Sequence, residues 1–181
     1  MRSARDEEFR SYVVDHRAAL VRTATLLAAG DRHLAEDVVQ STLTRLYLAW
    51  PLFKKAKNPA GYARRALVNS LVDEHRRPWR RRERVQSSIP EMTLAEPESA
   101  SAKIDALHAA LRDLPPRMRA AVVYRYFHDL SVAETADALS CSQGTVKSQT
   151  ARALDRLRDV LETHPTPRPA VVPTSHLHRS I

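Results

Sequence analysis

The sequence predicts an all-α protein, with two small helical domains joined by a flexible linker. Apolar residues recur every three or four positions over two stretches, 5–84 and 102–162, and neither contains a strand pattern or a repeat. Between them, residues 85–101 carry two prolines, four serines and three glutamates with little periodicity, as linkers do. The last segment, 163–181, is rich in proline, lacks acidic residues and is predicted to be disordered.

The N-terminal domain contains three strong helical patterns. The first ends at Gly30, and Asp31 is placed to cap the second, which is predicted to stop before Pro51. A loop is expected over 51–61. The third helix should run from about residue 60 to 77, because a proline follows. Its apolar side should face inward, which leaves a polar side for a ligand.

The C-terminal domain ends in a helix-turn-helix pattern over residues 131–158. Ala133, Ala136 and Leu139 form the apolar stripe of a short first helix, and a polar break precedes a longer second helix. On a helical wheel the second helix buries one arc and carries hydroxyls and arginines on the other. Such a face suits a helix that lies in a major groove and also contacts phosphates.

Composition favours a polyanionic partner and excludes several other classes of protein. The net charge is +8, and residues 73–84 (DEHRRPWRRRER) hold six arginines. Three scattered glycines exclude a GxGxxG or P-loop motif, and a single cysteine, Cys141, excludes an intramolecular disulfide or a multi-cysteine zinc site. Because no signal peptide or membrane span is apparent, a cytoplasmic protein without membrane insertion is expected. No catalytic residue, metal or cofactor is predicted.

Three interpretations compete before any family is considered. The helix-turn-helix pattern alone also fits a solvated amphipathic hairpin, or a transcriptional regulator that binds operators without polymerase. A metal-dependent nuclease would need clustered carboxylates. The acidic pairs Glu36-Asp37 and Asp73-Glu74 instead fit helix caps or exposed faces.

Three longer motifs resemble those of one family in the correct order. AGDRHLAEDVVQSTLTRLYLAW is similar to regions 2.1–2.2 of sigma factors, and NPAGYARRALVNSLVDEHRR is similar to regions 2.3–2.4. LRDLPPRMRAAVVYRYFHDLSVAETADALSCSQGTVKSQTARALDRLR resembles region 4. The chain therefore resembles an extracytoplasmic-function (ECF, group IV) sigma factor of bacterial RNA polymerase, in the actinobacterial SigE-like branch. This resemblance implies a protein that binds core polymerase and directs promoter-specific initiation.

The resemblance also implies partners and their binding residues. The expected partners are promoter DNA, core RNA polymerase (its β′ clamp helices and β flap), and an anti-sigma factor. The clamp helices would meet one face of the second helix, at Asp37, Gln40, Ser41, Thr44 and Tyr47.

The −10 element, where a flipped base is captured and strands open, would meet a basic loop and the polar side of the third helix. Its expected contacts are Lys54, Lys55, Lys57, Asn58, Tyr62, Arg65, Asn69, Asp73, Arg76 and Arg77. The −35 duplex would meet Gln143, Thr145, Lys147, Ser148, Gln149, Arg152 and Arg156. Many relatives carry Arg at position 149, and Gln there predicts a different −35 preference.

Overall fold

The computed structural model describes residues 4–76 and 100–163, and every regular element in these two ranges is helical. The N-terminal domain comprises α1 (Ala4–Leu27), α2 (Arg32–Leu48), α3 (Trp50–Lys54) and α4 (Pro59–Arg76). The C-terminal domain comprises α5 (Ala100–Arg112), α6 (Pro116–Val122), a π-helical segment (Val123–Phe127), α7 (Val132–Leu139) and α8 (Gln143–Thr163). The predicted all-α class is confirmed.

The turn between α1 and α2 follows the sequence prediction closely. Ala29 and Gly30 both take the left-handed conformation, with φ of 53° and 86°, which ends α1. The Asp31 carboxylate accepts a 2.8 Å hydrogen bond from the backbone N–H of Leu34 and so caps α2. The predicted N-cap at Asp31 is confirmed.

Two predicted boundaries differ from the structure. Pro51 does not open a loop, because it lies in the first turn of α3, where its missing N–H has no helical partner to lose. The loop before α4 is therefore shorter than predicted. Helix α5 begins at Ala100, so the last two residues of the predicted linker belong to a helix. The rest of the linker, Arg77 and the tail from residue 164 lie outside the described residues.

One apolar core joins the two domains. Leu27, Val39 and Leu71 of the N-terminal domain pack in the same buried cluster as Tyr124 and Leu139 of the C-terminal domain. A second cluster lies beneath α3, where Trp50 and Phe53 pack with Leu46, and a third lies between α5, α6 and α8. The sequence predicted two domains but did not predict that they would pack together.

Candidate polymerase and DNA interfaces

The face of α2 that was predicted to meet polymerase is only partly free. Gln40 and Thr44 are exposed, and the Thr44 hydroxyl donates to the Gln40 carbonyl oxygen over 2.9 Å. Ser41 is half-buried and donates over 3.3 Å to the carboxylate of Glu74, which is 2% exposed. Asp37 is also half-buried. The structure therefore leaves Gln40 and Thr44 as the most accessible polar groups of this face.

Tyr47 braces α2 against α1. Its hydroxyl donates a 2.6 Å hydrogen bond to Asp6, and the Arg5 guanidinium lies 4.4 Å from its ring centroid. The hydrogen bond to Asp6 raises the pKa of the Tyr47 phenol. Phe9 contacts the same ring edge to face, at 5.0 Å between centroids. Tyr47 therefore presents only part of its surface to a partner.

Two exposed leucines extend the α2 face, and the sequence analysis missed both. Leu48 follows Thr44 by four residues, which places it on the same side of the helix, and it is 72% exposed. Leu52 in α3 is 69% exposed. Their positions at the end of an amphipathic helix were a usable signal, because large apolar side chains there have no core to enter.

The basic segment before α4 holds three lysines, of which one forms an ion pair. Lys54 lies 2.6 Å from the Glu8 carboxylate, which also accepts from the Trp50 indole N–H over 3.3 Å. The hydrogen bond from Lys54, followed by that from Trp50, lowers the pKa of Glu8. Lys55 and Lys57 are exposed. These two are the lysines of the segment that are best placed to meet phosphates.

Asn58 and Tyr62 lie together where α4 begins. The Asn58 side-chain oxygen accepts a 2.8 Å hydrogen bond from the Gly61 backbone N–H and so caps the helix. The Tyr62 ring contacts Phe53 edge to face at 5.7 Å and is 37% exposed. The capping bond uses one of the two lone pairs of the Asn58 oxygen, and the NH₂ group of Asn58 remains as a donor.

Helix α4 has the predicted division into two faces. Ala63, Leu67, Leu71 and Glu74 are buried, whereas Arg65, Asn69 and Arg76 are exposed. Asp73 forms an ion pair with Arg45 of α2. The Arg65 Nε group donates over 2.9 Å to the Asp137 carbonyl oxygen, at the end of α7 in the other domain.

The helix-turn-helix has well-defined caps. Ser131 and Glu134 form a reciprocal capping box at the start of α7, with hydrogen bonds of 3.1 and 2.8 Å. The hydrogen bond with the Ser131 side chain, followed by that with its backbone, lowers the pKa of Glu134. Ser140 ends α7 in the left-handed conformation (φ 51°), and the Ser142 hydroxyl accepts from the Thr145 N–H over 3.1 Å at the start of α8.

The predicted −35 face of α8 is accessible. Val146 and Ala153 are buried, and the exposed members of the predicted set are Gln143, Lys147, Ser148, Arg152 and Arg156. Thr145 is half-buried, with its hydroxyl 2.9 Å from that of Ser142. Gln149 is half-buried, and its side-chain oxygen is enclosed with no hydrogen-bond partner among the described residues. Gln149 therefore lies at the edge of this face.

The described residues offer no group of histidine, cysteine or acidic side chains that could hold a metal ion. No helix within residues 4–76 and 100–163 is long and apolar enough to cross a membrane. A capped helix-turn-helix and a second helix with exposed arginines are features of a DNA-binding protein.

Comparison with known proteins identifies the family. Residues 12–81 match sigma-70 region 2, and residues 104–157 match sigma-70 region 4. The RNA polymerase sigma-E factor of Streptomyces coelicolor is 34% identical over 157 residues, which cover 85% of this chain and 86% of that protein. The ECF sigma factor SigL of Mycobacterium tuberculosis is 33% identical over 84% of this chain and 88% of that protein.

Solved structures agree with this assignment. The sigma factor RpoE of Bartonella quintana, in complex with the anti-sigma factor NepR, is similar with a TM-score of 0.67 and 25% identity, covering 87% of this chain and 99% of that one. CnrH in complex with the cytosolic domain of CnrY shares the fold, with a TM-score of 0.62. The chain belongs to the sigma-70 family, among the ECF sigma factors, which bind core RNA polymerase and direct promoter-specific initiation.

Proposed function

We propose that this chain reads promoters in two parts, with α8 on the −35 duplex and α4 with its preceding segment on the −10 element. The observation that carries the proposal is the accessible polar face of α8, set on a capped helix-turn-helix inside the region 4 match. Lys147, Ser148 and Arg152 form the centre of that face. Short hydroxyl and long basic side chains together supply base-edge and phosphate contacts.

The −10 reader is assigned to the exposed basic and amide groups near α4. Lys55 and Lys57 would hold phosphates, and Tyr62 and Asn69 would contact unstacked bases. An aromatic ring contributes about 1–3 kcal/mol per stacked base, and flipping one base costs a few kcal/mol. Several contacts of this kind are therefore needed to keep the strands open, and polymerase supplies the rest by holding both domains on one promoter.

The polymerase contact is assigned to the α2 face. Gln40 and Thr44 provide hydrogen-bonding groups, and Leu48 and Leu52 provide an exposed apolar edge. A polar surface beside apolar anchors is typical of an interface that forms and dissociates. We further propose that the protein acts in the cytoplasm, where polymerase transcribes, and performs no catalysis of its own. An anti-sigma factor is its proposed inhibitor, since the similar RpoE forms a complex with the anti-sigma factor NepR.

The direct test is initiation by purified components. Core polymerase from an actinobacterium, with and without this protein, is incubated with sheared genomic DNA of the source organism, and transcript 5′ ends are mapped. Start sites that depend on the protein and share two upstream motifs are expected. DNA binding without protein-dependent initiation would overturn the proposal and would indicate a polymerase-independent regulator.

The residue assignments are tested on a promoter found in this way. The double variant Lys147→Ala/Arg152→Ala should reduce initiation by at least tenfold and lower the salt dependence of binding, because each lost phosphate contact reduces the salt slope by about 1. Arg10→Ala, which removes an exposed charge from α1, is the matched control. Equal activity of the double variant and the control would overturn the assignment of α8.

A further inference from the structure

A small cleft with arginine-rich walls lies between the two domains. Helix α2 contributes Arg45, helix α4 contributes Asn69 and Arg76, and Arg117 lines the cleft from α6 of the C-terminal domain. The cleft holds about 230 Å³, which is below the roughly 300–1,000 Å³ of pockets that enclose a drug-sized ligand. Its size therefore suits a small ion, or one end of a larger molecule.

The walls of the cleft carry more positive than negative charge. Asp73 is the one acidic lining residue in the part of the chain that the structure describes, and it forms an ion pair with Arg45. Arg76 and Arg117 are exposed, and neither has an ion-pair or hydrogen-bond partner within residues 4–76 and 100–163. Two like charges in one small cleft repel each other, and an anion between them would replace this repulsion by two attractions.

Apolar side chains form the floor of the cleft. Val68 and Leu139 line it, and each is only 5% exposed. Water screens an ion pair less beside such a floor than in open solvent, so an anion bound there gains more from each arginine. The exposed side chain of Asn69 adds an amide NH₂ group, which can donate a hydrogen bond to an oxyanion.

The kind of cation narrows the class of anion. Every cation that lines the cleft among the described residues is an arginine. A guanidinium presents parallel N–H donors in a fixed plane, a geometry that matches carboxylate and phosphate oxygens. A carboxylate has two oxygens and is satisfied by one guanidinium in this way. A phosphate group has further oxygens, so it can accept from arginines on opposite walls at the same time.

We propose that this cleft binds a small phosphate-bearing ligand between Arg76 and Arg117. Inorganic phosphate, pyrophosphate and the terminal phosphate of a larger compound all have the required chemistry. The ligand would contact both domains, because Arg76 belongs to α4 and Arg117 to α6. The inference goes beyond promoter recognition and does not depend on it, since it rests on the lining of the cleft alone.

Calorimetric titration of the full-length protein with pyrophosphate tests the site, in a phosphate-free buffer at constant ionic strength. We expect saturable binding at one site per chain, with a dissociation constant of about 1 mM or lower. Arg117→Gln should weaken this binding at least tenfold. Arg10→Gln, which removes an exposed charge from α1, should bind pyrophosphate as the wild type does.

The two variants have the same net charge, so a difference between them cannot come from the general attraction of an anion to a basic protein. Equal affinities of the two variants, or binding that does not saturate, would overturn the proposal. Thermal midpoints give a second readout, because a ligand that binds only the folded state stabilises it. Pyrophosphate should raise the midpoint of the wild type and of Arg10→Gln, but not that of a folded Arg117→Gln protein.

A DNA backbone offers the same phosphate chemistry, and a further titration separates the two sources. A short single-stranded oligonucleotide replaces pyrophosphate, again with Arg117→Gln and Arg10→Gln. The proposal expects Arg117→Gln to weaken pyrophosphate binding much more than oligonucleotide binding. If only the oligonucleotide depends on Arg117, the cleft takes a DNA phosphate and the small-ligand site is overturned.

Discussion

The hydroxyl of Tyr124 donates to the carbonyl oxygen of Arg64 across the two domains, and this pair joins the middle of α4 to the π-helical segment of the C-terminal domain. The Arg64 carbonyl lies in the middle of α4, where the helix already provides it with a backbone partner. The tyrosine therefore adds a second bond to an acceptor that is not left orphaned when the phenol is removed. Burial raises the pKa of Tyr124 well above its ordinary value, so the phenol stays protonated and able to donate.

Tyr124→Phe should lower the free energy of unfolding by about 1 kcal/mol, the net value of one neutral hydrogen bond. The ring remains, so the packing in the shared core is preserved. Urea denaturation followed by circular dichroism measures the change. Tyr126→Phe, at a residue that is 51% exposed, should leave the urea midpoint unchanged. A loss in the Tyr126 variant as large as that in the Tyr124 variant would contradict this role for the Tyr124 hydroxyl.

Arg119→Met should destabilise the protein by about 2–4 kcal/mol. The guanidinium donates to three carbonyl oxygens, those of Leu27, Arg112 and Leu114, over 2.8, 3.3 and 3.0 Å. A hydrogen bond from a charged donor contributes about 1.5–3 kcal/mol, but the total is less than the sum over the three bonds, because removal of the guanidinium also relieves the cost of burying its charge. The exposed neighbour Arg117 provides the matched control Arg117→Met. Similar thermal midpoints for the two variants would count against Arg119 as a link between domains.

Stability should fall as the pH drops below about 6.5, because two half-buried histidines of the C-terminal domain that lie against the N-terminal domain, His108 and His128, resist protonation. Burial, reinforced by Arg64 and opposed by Asp129, lowers the pKa of His128. Burial, opposed by Asp105 and reinforced by Arg112 and Arg32, lowers the pKa of His108. The folded state therefore binds fewer protons than the unfolded chain between these lowered values and the ordinary pKa of about 6.5. This deficit penalises folding below about pH 6.5 and vanishes above it.

The measurement is the urea midpoint at pH 7.5 and pH 5.5. His108→Gln/His128→Gln should show a smaller decrease between these two pH values than the wild type does. His16, an exposed residue on α1, provides the control His16→Gln. If the double variant retains the full wild-type decrease, the pH dependence arises elsewhere.

Ser131→Ala should lower the stability of the helix-turn-helix by about 1 kcal/mol by breaking the capping box, and it should weaken −35 binding in proportion.

Ser140→Gly should instead raise the stability, by up to about 1 kcal/mol, because Ser140 holds a left-handed conformation that glycine adopts without strain. Thermal melts and duplex binding check both variants. A destabilised Ser140→Gly variant would show that the serine side chain contributes more than its backbone conformation costs.

Local signals in the sequence were sufficient for the helices and their caps. Regular apolar spacing placed α1, α2, α4 and α8, and Asp31 identified its own helix start. Pro51 was misread, because the same residue ends one helix and suits the first turn of another. Asn58 was expected at the −10 element from the family resemblance, and its role as a cap depends on the local geometry before α4.

The relation between the domains was beyond local patterns. The apolar sides containing Leu71 and Tyr124 were both predictable as buried, but each could have been buried within its own domain. Which two faces pack together depends on how well the shapes of two segments fit, and these segments lie more than fifty residues apart in the sequence. The same limit applies to Tyr47, whose contacts with Arg5 and Asp6 require the start of α1 to lie along the end of α2.

The close contact between Gly30 and His108 makes the packing of the two domains sensitive to any side chain at position 30. A methyl group added there would lie 2.7 Å from the imidazole Nδ1 and 3.1 Å from its Cβ, too close for the ring to stay where it is. Gly30→Ala carries backbone strain in every state, but it carries the clash only while the domains touch. A single added carbon at position 30 would therefore push His108 away and lower the stability of the packed arrangement of the two domains.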